Sequence, residues 1–319
     1  VAELAALLGA ASTALAAMSA VQPDGTFTEL PEGFHADLDE VSVSVGEYHA
    51  CAIEYDETQP MGGPLRCWGG NTEGQSDPPG GTFMQVSAGA MHTCALSVDQ
   101  TIECWGRVEP HDRRPSGLFI QVSSGYTHTC AITIDKKIHC WGPRGLGSNE
   151  DLPQGKFIQV SAGRDHDCAL KTNGEVVCWG SPDFDRLDVP MGVQFKQVSA
   201  STYYNSCGVT LDGDIRCWGF KRATKGEVDD RPGSFKQVTS GRRHNCGLRA
   251  DDHSLECWGK ISGHLVIQNQ VEAVRSARWD QVSLGNSFAC GVNLDGEVLC
   301  WGSPSAIGET NVPEGLLAA

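Results

Sequence analysis

Basic residues are scarce in this chain of 319 residues. It carries 24 Lys and Arg against 40 Asp and Glu, a formal charge of −16. A surface of that sign repels phosphate, which argues against nucleic-acid binding and against docking on anionic headgroups. No P-loop, nucleophile-elbow or H-E-x-x-H phrase occurs, so the chain lacks the common signatures of phosphoryl transfer, ester hydrolysis and zinc proteolysis. Near the start, Leu4 to Val21 carries no charge and is rich in helix formers.

What the chain does have is cysteine, 14 of them, more than a reducing cytosol favours and in keeping with an oxidising compartment. They fall in pairs: Cys51 with Cys67, Cys94 with Cys104, Cys130 with Cys140, Cys168 with Cys178, Cys207 with Cys217, Cys246 with Cys257 and Cys290 with Cys300. The second member of each pair opens a Cys-Trp-Gly triplet, at Trp68, Trp105, Trp141, Trp179, Trp218, Trp258 and Trp301. Spacings of roughly 40 residues with β-type segments indicate a propeller or a solenoid. In the fourth copy "FIQVSAG" and "HDCALKT" alternate apolar with polar residues, and "EVVCWG" follows an Asn-Gly turn. Three hairpin-linked strands and a connector describe a propeller blade, so the expected fold is all-β, a seven-bladed β-propeller.

The turn sets the register. If Thr172-Asn173-Gly174 is a three-residue loop with Gly174 left-handed, Lys171 faces Glu175 and Cys168 faces Cys178. Opposed β-carbons lie ~4.5–5.5 Å apart, within reach of a disulfide. The pairs therefore read as one staple per blade, ahead of two weaker readings, small core hydrophobes and zinc ligands. No metal or cofactor is expected.

The repeat Gly-x-x-His-x-apolar-Ala-Leu, then Asp-Gly, then Trp-Gly, with "WGGNTEGQ" at Trp68 to Gln75, resembles that of the regulator of chromosome condensation family (RCC1-like repeats), in a disulfide-containing variant. The resemblance implies a seven-bladed propeller over residues 28–319. It also implies a loop-lined face that members of the family use for dimerisation in light sensing or for enzyme capture. The light-sensing members carry Trp in these loops, and this chain does not.

His49, His92, His128, His166 and His244 recur at one place in the repeat, with Asn205 and Phe288 in the fifth and seventh copies. Residues related by rotation do not converge on one centre, so they read as buried imidazoles satisfying neighbouring backbone groups and not as catalytic or metal-binding ones. The variable positions lie between the repeat glycine and the histidine. Tyr48, Met91, Tyr126, Arg164, Asp165, Tyr203, Tyr204, Arg242 and Arg243 there form a ring of hot-spot residue types and are the candidate partner-binding set. The connectors after Cys-Trp-Gly, chiefly Lys221–Asp230 and Lys260–Trp279, are the competing surface.

Residues 1–27 read as an Ala-rich helix and linker, broken at Pro23-Asp24-Gly25. Leu4, Leu8, Leu15 and Met18 form an apolar anchor stripe over residues 1–22. Three readings stay open: the tail of a targeting segment, a marginal membrane span, and a helix packed on another protein. Function divides into two classes: a non-catalytic scaffold or structural subunit that binds protein partners in a secreted, cell-surface or organelle-lumen setting, with membrane association left open, and an enzyme regulator, either a nucleotide-exchange factor or an inhibitor.

Overall fold

The computed structural model describes residues 19–21, 27–29, 43–54, 62–108, 116–142, 152–220, 226–259, 274, 276–302 and 308–316. The chain divides into two compact units, Val1–Asp39 and Glu40–Ala319.

In the first unit the described residues are a two-stranded antiparallel pair, Ser19–Val21 with Phe27–Glu29. This corrects the end of the expected helix, because Ser19 to Val21 are strand. The Pro-Asp-Gly sequence between the two segments is turn chemistry, and Val21, Phe27 and Thr28 favour extended backbone. The anchor stripe Leu4, Leu8, Leu15 and Met18 lies outside the described residues.

Among the described residues the second unit holds seven three-stranded antiparallel sheets, as the seven copies predict. The blades are Val43–Val45, His49–Ile53 and Leu65–Gly69; Phe83–Ala88, His92–Ser97 and Ile102–Gly106; Phe119–Ser124, Thr129–Thr133 and Ile138–Trp141; Phe157–Ala162, His166–Lys171 and Val176–Gly180; Phe195–Ala200, Asn205–Thr210 and Ile215–Gly219; Phe235–Ser240, His244–Arg249 and Leu255–Gly259; Trp279–Leu284, Phe288–Asn293 and Val298–Gly302. The first strand of each blade lies innermost and packs on the first strands of its neighbours, and blade 7 packs on blade 1 to close the ring.

The core is distributed over seven wedges between blades. Between blades 3 and 4, for example, Cys130, Ile132 and Ile138 meet Phe157, Val160 and Ala169. Phe157 and Val160 are three residues apart and would face opposite ways on a regular strand. A register shift between Phe157 and Gln159 turns both toward blade 3, and the same shift recurs at Phe83, Phe195, Phe235 and Trp279.

Polar side chains link the same wedges. Gln121 accepts from the Val160 amide at 2.6 Å and donates to its carbonyl at 2.9 Å, and Ser123 Oγ accepts from the Ala162 amide at 3.0 Å. The ring closes by the same device, with Gln281 Oε1 and Ser283 Oγ accepting from the amides of Val43 and Val45 at 3.0 Å. The Gln-Val-Ser phrase is thus a blade-to-blade coupling.

All seven disulfides form as the spacing predicts, each within a blade and joining the middle strand to the outer one. In blade order Cys51 bonds Cys67, Cys94 bonds Cys104, Cys130 bonds Cys140, Cys168 bonds Cys178, Cys207 bonds Cys217, Cys246 bonds Cys257 and Cys290 bonds Cys300. The middle-strand members are all buried. On the outer strand Cys140 and Cys217 are buried, while Cys67, Cys104, Cys178, Cys257 and Cys300 are partly buried against the wedge beside them. Each bridge thus pins the outer strand to the interior.

The turn geometry agrees with the register argument. The Lys171 amide bonds the Glu175 carbonyl, and Gly174 has φ +84°. Counting back from that hydrogen-bonded pair makes the pair of Cys168 and Cys178 the non-bonded kind, the closer one. Its Cα atoms are 4.1 Å apart. Gln100, Lys136 and His253 hold the left-handed turn position that Gly174 holds in blade 4.

Candidate partner-binding face

In six of the seven blades a glycine follows the inner strand, and a two-residue loop leads from it into the middle strand. The glycine amide bonds the carbonyl of the following histidine, as from Gly125 to His128 at 2.8 Å. The next loop leaves no room for a side chain here: a Cβ on Gly125 would sit 2.4 Å from the Gly163 carbonyl oxygen. In blade 5 Ser201 replaces the glycine and the loop gains a residue. Ser201 Oγ accepts from the amides of Tyr203 and Asn205, at 3.0 and 3.2 Å.

The two loop positions diverge. The first of them, Glu47, Ala90, Tyr126, Arg164, Thr202, Arg242 or Asn286 by blade, lines the central channel together with Tyr203, around a cavity of about 170 Å³. The second position, occupied by Tyr48, Met91, Asp165, Tyr204 or Arg243 among the candidates, does not line it. The expected single ring is therefore two, an inner and an outer.

The candidates cluster on one arc. Arg164 stands over the Tyr126 ring at 4.6 Å, and Arg242 and Arg243 stand over Tyr203 at 4.8 and 5.3 Å. Tyr203 and Tyr204 pack at 4.0 Å, and Tyr204 reaches Phe184 at 4.4 Å and Phe220 at 5.8 Å. Arg164 and Arg186 share the Asp165 carboxylate at 3.7 and 3.6 Å. Arg186 is buried and donates from Nε to the Asp183 carbonyl at 2.8 Å. Tyr48 and Met91 lie apart from the Tyr203 stack, and Met91 Sδ is 4.0 Å from Arg107 Nη1.

Three members of this cluster, Phe184, Arg186 and Phe220, were not among the sequence candidates. Phe220 is the lone aromatic directly after a Cys-Trp-Gly triplet, the one signal that pointed to it. Phe184 is more than a third exposed and takes φ +66°, a costly conformation for an aromatic residue and one that structures retain mostly at functional sites.

Electrostatics distinguishes the tyrosines. The Tyr204 hydrogen bond, then the Arg242 guanidinium, bring the Tyr203 phenol down to about 8. Burial and the nearby Glu47 carboxylate hold Tyr48 and Tyr126 above the usual phenol range.

The histidines are buried as expected, but their partners are side chains of the next blade and not backbone groups. His49 pairs with Thr93, His92 with Thr129, His128 with Asp167 and His166 with Ser206, at 2.7 to 3.0 Å. Asn205 donates to Asn245 at 2.9 Å in the same place. The outcome follows from alternation: the histidine faces forward and the residue after it faces back. Where the next blade offers Ala289, His244 Nε2 has no partner, and where it offers Ala50 the position is Phe288. Among the described residues the one grouping of metal-ligand type is His128, Cys130 and Asp167. Cys130 is held in a disulfide there, so no thiolate is available.

Four of the seven copies match the regulator of chromosome condensation (RCC1) repeat, over residues 41–75, 119–149, 157–185 and 279–306. Among solved structures the chain is similar to the CRINKLY WD40 ectodomain of the Arabidopsis thaliana receptor kinase ACR4, with 23% identity over 83% of this chain and 97% of that one, TM-score 0.65. It is also similar to the entire ectodomain of the Physcomitrella patens receptor kinase CR4, at 24% identity over 84% and 77% of the two chains, TM-score 0.67. Prp20p of Saccharomyces cerevisiae, described with its binding to Gsp1p and histones, matches at 15% identity over 84% and 83%, TM-score 0.63. The chain thus carries RCC1 repeats in four of its seven copies and folds as a propeller stapled by a disulfide in every blade.

Proposed function

We propose that this propeller is a non-catalytic protein-binding module working in an extracytoplasmic, oxidising compartment, and that its Gly-x-x-His loop face receives the partner. The observation that carries the reading is the convergence of Tyr126, Arg164, Tyr203, Tyr204, Arg242 and Arg243 on one arc of that face. Aromatic and Arg side chains that are already packed on one another lose little freedom on binding, which is what makes them anchors.

Seven disulfides support the compartment. The similar receptor-kinase ectodomains support a module that presents loops outside the cell, as a scaffold, a secreted protein or a subunit of a membrane-attached assembly. No helix among the described residues is long and apolar enough to cross a membrane, and membrane or partner-helix contact through residues 1–22 remains part of the proposal. The enzyme-regulator reading shares this face and differs only in what the partner is.

The test is to isolate the oxidised chain with its native partner and then measure that partner's affinity for single alanine variants. Truncation of Tyr126, Tyr203, Tyr204, Arg242 or Arg243 should cost ~1–3 kcal/mol. Unchanged affinity in all five, with loss on changing Lys221–Asp230 or Lys260–Trp279, would place the interface on the connectors.

A further inference from the structure

The chain's charge runs against the composition of the channel mouth. A net charge of −16 leaves few cations to spare, yet Arg164, Arg242 and Arg243 gather around Tyr203. Among the described residues Arg242 and Arg243 stack on that ring and make no ion pair, whereas Arg164 has Asp165 at a loose 3.7 Å, half-exposed on both sides. An ion pair so placed is worth little in water and exchanges readily for a better carboxylate. Between Arg164 and Arg242 the mouth opens into the cavity of about 170 Å³. At about 30 Å³ per water that is room for some five or six waters, enough for one acidic side chain with part of its hydration.

Among the residues lining the mouth, Glu47 of blade 1 carries the other sign and lies beside Tyr126. Glu47 lines the same cavity and accepts from Asn286 Nδ2 at 3.1 Å. An incoming anion is repelled by Glu47 and drawn to Arg164 and Arg242, which both line the same cavity.

We propose that the channel mouth binds a carboxylate borne on an acidic segment of the partner protein, clamped by Arg164 and Arg242 above Tyr203. This rests on the loop face being the partner surface, and it adds the partner's chemistry. Guanidinium groups recognise carboxylates through paired N–H donors, which is why an Arg pair and not a Lys pair suits the task. The strained Phe184, with Tyr204 and Phe220, forms an apolar shelf beside the clamp.

The clamp has a built-in competitor. Arg242 and Arg243 of blade 6, Arg164 of blade 4 and Tyr204 of the same loop all face Tyr203. Of these only Tyr204 is not cationic. A Tyr203 phenolate would place negative charge where the ligand carboxylate sits, so affinity falls as pH rises through about 8.

Calorimetry with the full oxidised chain tests this, using a blocked Gly-Glu-Glu-Glu-Gly peptide, its Gln counterpart and free citrate. The Glu peptide should bind, the Gln peptide should bind about tenfold more weakly, and R164A/R242A should lose about tenfold for the Glu peptide only. In the wild-type chain the Glu-peptide affinity should fall above pH 8, and in Y203F the affinity that remains should show no such fall. Near-UV circular dichroism and the oxidised mass check that each variant folds, and the Glu-against-Gln comparison on the wild-type chain stands even if a variant does not. Equal binding of both peptides, no Glu-peptide binding, or citrate binding without peptide binding would each overturn the proposal. If the clamp fails while loop variants still weaken the native partner, the loop face survives and only its chemistry is wrong. If the loop variants have no effect, the broader reading falls.

Discussion

His128 Nε2 stands 2.7 Å from Asp167 Oδ1, with both side chains fully buried and each belonging to a different blade. It is the one link of the histidine relay that carries charge. Burial alone would lower the imidazole, but the Asp167 carboxylate and its hydrogen bond raise it above the usual range. Removing His128 strands a buried carboxylate beside the Gly163 amide, which donates to it at 3.2 Å. H128A should therefore cost about 3–5 kcal/mol in chemical denaturation. D167T copies the neighbouring blades and should cost clearly less than D167A. Equal losses for D167T and D167A would show that the hydrogen bond is immaterial.

A second prediction concerns the gaps in the relay. Ala289 faces His244, whose Nε2 has no partner. A289S supplies a hydroxyl at the place where Ser206 serves His166. It should raise stability by about 0.5–1.5 kcal/mol. At ring closure F288H and A50T should each be destabilising alone, through lost packing and a buried unpaired group. Together they should show favourable coupling of about 1 kcal/mol in a double-mutant cycle. Strict additivity would refute the pairing rule.

The neutral histidines make the ring acid-sensitive. Burial holds His49 and His166 at about 3 and His92 and His244 at about 4. An unfolded histidine titrates near 6.5, so the unfolded chain binds more protons between about pH 6.5 and 3–4. The sign is then fixed: stability is full above about 6.5 and declines as pH falls through that window. His128 runs the other way, since its raised value contributes below 6.5 and fades as pH rises past it. Urea midpoints measured from pH 7 to 4 should fall, and should fall less in H49N/H166N, where no proton is taken up. A flat profile would mean that these imidazoles are not buried in neutral form.

Mass spectrometry of the intact chain should gain fourteen hydrogens on reduction, two for each of seven bridges. Replacing Cys168 and Cys178 together by alanine should cost ~2–3 kcal/mol, since the closed loop is short and both residues pack against the next blade's core. Loss of a single pair should leave the partner's affinity unchanged, because the bridges lie in the wedges and not in the loops.

Blade number was legible in the sequence as a count of copies, and hairpin register and disulfide pairing because they depend on residues 10 to 16 positions apart. Strand alternation and a three-residue turn decide which side chains oppose, and Cys168 meets Cys178 whatever the rest of the ring does. The loop candidates were legible as a set but not as a geometry. Whether a loop residue faces the channel, as Arg164 does, or turns away from it, as Asp165 does, depends on the loop of the adjacent blade some 40 residues away. The same holds for the histidines, where the choice of Thr93, Asp167 or Ala289 as neighbour belongs to the next copy. Phe184 and Phe220 join Tyr204 only because their connectors fold back to one place, which no local pattern encodes. Local sequence determined the blade, and contact between blades decided the face it presents.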